Sequence, residues 1–114
     1  MHNNFNEQYK ATIGADFLSK EVITKDKLVT MQIWDTAGQE KFQSVQGIFY
    51  KGADACMIVF DITSSSTFQG INKWREEFLT HVEAGNPDSF PFVLIGNKAD
   101  MIGERKVINH FTHF

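Results

Sequence analysis

A chain of 114 residues, 42% apolar and with 11 phenylalanines, holds material for one domain's core and no more. Its net charge of −3, without any run of lysine or arginine, speaks against nucleic acid or an anionic membrane surface as a partner. Cys56 is the single cysteine, which excludes an internal disulfide, argues for a reducing compartment and, inside an apolar run, reads as a buried inert thiol.

Residues 1–8 are polar and Asn-rich, with Phe5 as the one anchor, and read as a loop or a helix remnant. After Tyr9-Lys10-Ala11-Thr12-Ile13-Gly14 comes an alternating run over residues 15–24. A short turn, Lys25-Asp26-Lys27, separates it from a second alternating run over 28–34, so the two predict an antiparallel hairpin. Residues 41–51 lack a clean period and are expected to be mobile and partly helical. The run Ala55-Cys56-Met57-Ile58-Val59-Phe60 has no polar face and predicts a strand covered on both sides, ending at Asp61. Ser66 with Gln69 three residues on predicts an N-capping box. Phe68, Ile71, Phe78 and Val82 then recur at helical spacing with Trp74 beside them, until Gly85-Asn86-Pro87-Asp88 stops the helix. Residues 90–95 form another fully apolar strand, which runs into Gly96-Asn97-Lys98-Ala99-Asp100. Hairpin, buried strand, helix and buried strand in that order predict an α/β fold with a mainly parallel sheet.

Two strand ends carry chemistry. The first strand end is Trp34-Asp35-Thr36-Ala37-Gly38-Gln39-Glu40. In open parallel sheets ligands bind at the carboxyl ends of strands. A carboxylate there suits hydrated Mg²⁺, which prefers hard oxygen donors and keeps several waters. Gly38 lets the backbone approach a phosphate oxygen where a Cβ would collide. Gln39 offers a donor and an acceptor with which to align a water without ionising. The second is Asn97-Lys98-Ala99-Asp100. Its carboxylate can accept two parallel hydrogen bonds from the N1–H and N2–H₂ of guanine, a pair that adenine lacks. Lys98 can lay its aliphatic stem along a base, and Asn97 can brace neighbouring loops. N-K-x-D alone is a weak signal, but behind an apolar strand and downstream of the first motif it is specific. His2, His81, His110 and His113 show no metal-ligand spacing, and no signal peptide or bilayer-length apolar run is read.

With both motifs present, the sequence resembles the Ras superfamily and, within it, the Rab proteins of vesicle traffic. Residues 35–40 match the switch II signature, and Thr12-Ile13-Gly14-Ala15-Asp16-Phe17 looks like the Rab switch I segment. Met31-Gln32-Ile33-Trp34 and Phe49-Tyr50-Lys51-Gly52-Ala53-Asp54 are also Rab-like, and the wording is nearest to the late-endosomal subfamily. The resemblance implies an incomplete small-GTPase (P-loop NTPase) domain over residues 1–114, with switch I at 9–17, switch II at 35–50 and the guanine motif at 97–100. It implies GTP or GDP with Mg²⁺ as ligands: Thr12 and Asp35 on the metal, Thr12 and Gly38 on the γ-phosphate, Gln39 on the hydrolytic water, and Asn97, Lys98 and Asp100 on the base. Ile13, Phe17, Trp34 and Phe49 would form the effector-docking surface. Exchange factors and GTPase-activating proteins are the further partners implied, at the cytoplasmic face of endosomal vesicles.

The family's G-x-x-x-x-G-K-[ST] phosphate loop does not occur in these residues, nor does a cysteine near residue 114 for a prenyl anchor. The expected sheet therefore lacks the family's first strand and its C-terminal strand and helix. About five charge-assisted hydrogen bonds at roughly 1.5 kcal/mol each would be missing, on the order of five decades of affinity. A slot of about 10 Å is expected between the strand at 28–34 and the strand ending at Asp61, two strand spacings wide. The alternative reading is a non-catalytic remnant that serves as an effector-binding module.

Overall fold

The computed structural model describes residues 15–38, 43–83 and 85–108. Two compact units divide the chain, Met1–Phe49 and Tyr50–Phe114.

In the first unit β1 (Ala15–Thr24) pairs antiparallel with β2 (Lys27–Thr36) in an unbroken register from Ala15 opposite Thr36 to Thr24 opposite Lys27. The expected hairpin is present with a tighter turn. Lys27 joins the ladder, so only Lys25 and Asp26 turn the chain, with Lys25 in the left-handed region at φ 49°. β2 also runs on past Trp34, so Asp35 is a paired strand residue and not the first residue beyond the strand. The alternation sorts side chains to two faces. One carries Phe17, Ile23, Leu28 and Trp34; the other carries Leu18, Val22, Val29, Met31 and Ile33. Helix α1 (Gln43–Tyr50) then gives the segment at 41–51 a regular core, more ordered than its sequence pattern implied.

The second unit is a parallel pair, β3 (Cys56–Asp61) beside β4 (Phe92–Asn97), with Cys56 opposite Phe92 and Asp61 opposite Asn97. The crossover is helical, α2 (Ser65–Gln69) and α3 (Ile71–His81), as a parallel connection requires. Ile58, Phe60, Ile62, Ile71 and Val107 make the buried core, with Phe68, Trp74, Phe92 and Leu94 packed on it. Phe78, also buried, meets Tyr50, Phe90 and Phe92 at ring-centroid distances of 5.1, 5.3 and 5.7 Å. Lys106 and Val107 both donate backbone N–H groups to the Ile62 carbonyl, which draws Val107 into that core.

Three expectations are corrected here. β3 and β4 are not covered on both sides: Met57, Val59, Val93 and Ile95 are exposed, because the helices cover only the face carrying Ile58 and Phe60. The single helix is two, meeting at Gly70, although the Gly70 N–H still reaches Ser66 O and Trp74 N–H reaches Gly70 O. Its N-cap is Ser64, without a side-chain bond, so no capping box forms at Ser66. Asp61 and Thr67 do that work instead, as described below. The α/β class holds, with the four described strands in two two-stranded sheets, one antiparallel and one parallel.

Candidate nucleotide-binding site

Of the first motif, Asp35, Ala37 and Gly38 are described; Thr12, Ile13 and Gln39 lie outside the described residues. Asp35 sits one residue from the end of β2 with its partner Asp16 directly opposite, so two carboxylates share one face of the hairpin. Like charges in that relation repel and favour a nearby cation. The oxygen chemistry of Asp35 suits a hard cation such as hydrated Mg²⁺. Among the described residues no group of three or more metal-ligating side chains gathers. Ala37 is buried, while Gly38 is exposed with open space where a Cβ would stand.

The three aromatics named above come together. Phe17 and Trp34 are cross-strand partners with ring centroids 4.8 Å apart, and Phe49 of α1 lies 5.6 Å from Trp34. Phe17 and Trp34 keep 47% and 49% of their surface exposed, so those two rings are presented to solvent, while Phe49 is half-buried.

The second motif occupies the carboxyl end of β4 in the second unit. Asn97 closes the strand, and its Oδ1 accepts the Lys98 N–H at 2.8 Å. Lys98 is left-handed (φ 65°), and its carbonyl accepts the Met101 N–H at 2.9 Å, turning the chain into the 3₁₀ segment Ala99–Glu104. Asp100 lies exposed in the first turn of that segment. Asn97 was expected to brace neighbouring loops, and it braces the motif's own next amide. Lys98 was expected along a base, and its Nζ stands 2.7 Å from Asp61 Oδ2.

Asp61 is the residue that sequence reasoning passed over. It ends β3 as Asp35 nears the end of β2, and that shared position was the available signal. Its Oδ1 accepts the Thr63 N–H at 2.8 Å and the Thr63 hydroxyl at 2.7 Å. Its own N–H donates to Thr67 Oγ1 at 3.0 Å, and that hydroxyl donates to Ser64 O at 2.8 Å. Lys98, then Thr63, hold the Asp61 carboxyl down at about 2. Cys56, at the other end of β3, is half-buried rather than buried as expected, and that burial pushes its thiol up to about 11.

The fold is α/β, with one motif at the end of β2 in the first unit and an N-K-x-D loop closing the parallel strand β4 in the second. The Ras family model matches residues 1–112. The chain belongs to the Ras family. It is 52% identical to the Ypt/Rab-type GTPase YPT7 of Saccharomyces cerevisiae over 110 residues, 96% of this chain and 53% of that protein. It is 54% identical to the Ypt/Rab-type GTPase avaA of Emericella nidulans over 109 residues, again 96% of this chain and 53% of the relative. With the Ras-related protein Rab7 of Cenchrus ciliaris it shares 57% identity over 103 residues, 90% of this chain and 50% of the relative. The Rab-type names of these relatives agree with the resemblance read from the motifs. The chain spans about half the length of the curated relatives it matches.

Proposed function

We propose that this chain is part of a Rab-type switch that binds and hydrolyses GTP in endosomal vesicle traffic. The observation that carries the reading is the Asn97–Asp100 turn at the carboxyl end of a parallel strand, with Asp100 exposed and able to take the two donors of a guanine edge. Asn97 and Lys98 shape that turn, while Gly38 and Gln39 follow β2, on γ-phosphate and hydrolytic water respectively. Asp35 and Thr12 serve Mg²⁺, whose contribution when bound is to neutralise charge that develops on the phosphates. Asp100→Asn removes one acceptor and presents an amide N–H₂ to the guanine donors. It is expected to cut the preference for GDP over ADP by roughly ten- to a hundredfold, about 1.4–2.8 kcal/mol. Titration calorimetry of wild type and variant with both nucleotides checks this, and an unchanged preference would remove Asp100 from its role.

A second reading rests on the Phe17–Trp34–Phe49 cluster, with Phe17 and Trp34 exposed: docking of effectors, with exchange factors and GTPase-activating proteins as further partners. It extends to a non-catalytic module if the chain engages an effector without nucleotide.

A further inference from the structure

We propose that Asp61 is the positioning residue of the guanine loop, setting the conformation of residues 97–100 through Lys98. The inference rests on the guanine reading of that loop and adds a residue outside its motif. Asp61 and Asn97 are register partners at the ends of β3 and β4, so the residue after Asn97 emerges beside the Asp61 carboxylate. That carboxylate is itself held still. Thr63 occupies Oδ1 with two donors, and Thr67 takes the Asp61 N–H, which leaves Oδ2 directed to Lys98 Nζ at 2.7 Å. The Asp61 side chain is 20% exposed and that of Lys98 51%, so the pair is shielded on the carboxylate side and open on the lysine side.

The backbone shows why such an anchor matters. A lysine in the left-handed region is disfavoured and persists only where its surroundings hold it. Here Asn97 Oδ1 holds its amide, and Asp61 holds the far end of its side chain. The Lys98 carbonyl then closes the turn on Met101, and Asp100 stands inside that turn. The direction in which Asp100 meets a base thus follows from where Lys98 is pinned. A merely stabilising ion pair would leave the loop unchanged when broken.

The test compares wild type, Asp61→Asn and Asp61→Glu by the amide NMR shifts of residues 97–101 and by affinities for GDP and ADP. Asp61→Asn is expected to move the Lys98 and Asp100 amides and weaken GDP binding roughly tenfold, with ADP unchanged. Asp61→Glu, which keeps the charge, should restore most of both. Unmoved amides in Asp61→Asn overturn the proposal, even where wild type prefers GDP and the guanine reading stands. Moved amides with no GDP preference in wild type support the anchor and reject the guanine reading. Should Asp61→Asn not fold, Lys98→Met leaves the Thr63 and Thr67 bonds in place. The Ala99 and Asp100 amides are then expected to move as the Lys98 side chain loses its anchor, and unmoved amides overturn the proposal.

Discussion

A carboxylate at the end of a strand is held by whatever donors the next turn supplies, and Asp61 has three: Lys98 Nζ, the Thr63 hydroxyl and the Thr63 amide. They favour the charged form and lower its pKa from 3.8 to about 2. A pKa lowered on folding contributes stability that is full above the unfolded value and is lost as pH falls through the folded one. Urea midpoints should therefore fall between about pH 4 and pH 2, and Asp61→Asn should flatten part of that limb. An acid limb of the same depth in the variant would deny Asp61 this part. The Cys56 thiol moves the other way, from 9.0 to about 11. Thiolate is the reactive form, so at pH 8 iodoacetamide should alkylate native Cys56 on the order of a hundredfold more slowly than the urea-unfolded chain. Equal rates would show that the half-buried position does not protect it.

At the scale of elements, β4 is constrained where its side chain is smallest. A Cβ on Gly96 would stand 3.1 Å from both Ile62 Cγ2 and Phe60 Cζ. Those neighbours are 4% and 3% exposed, so neither can swing into solvent. Gly96→Ala is expected to lower stability by about 1–3 kcal/mol, read as a shift of the urea midpoint at constant slope. A neutral or stabilising result would mean that the core around Phe60 yields. The hairpin, the parallel pair and the helical crossover were legible from alternation, apolar runs and helical spacing. Their ends were less so: Lys27 and Asp35 entered the ladder because a complete register satisfies their backbone groups. The capping box failed because Thr67, bonded to Asp61 and Ser64, secures the helix entry from inside its first turn.

For the molecule as a whole, the two units differ in how much they bury. Among the residues of the first whose burial is described, Ala37 alone is buried, whereas Ile58, Phe60, Ile62, Ile71, Phe78, Val82 and Val107 belong to the second. Local opening is cheapest where few apolar contacts hold an element. Hydrogen exchange should accordingly find the amides of β3, β4 and α3 markedly more protected than those of β1 and β2. Equal protection would show that the hairpin opens only with the rest. No described helix is long and apolar enough to cross a membrane.

Taken alone, the order of residues determined the family, the α/β class, the hairpin and the two strand-end motifs, because these depend on local period and on short runs with one chemical use. Only the tertiary structure decided that β3 and β4 keep an exposed apolar face, that three aromatics from β1, β2 and α1 stack, and that Asp61 answers Lys98. Each of these joins residues distant in the chain. Which side chains meet at that distance follows from strand register and helix packing, and neither is written in any single stretch of sequence.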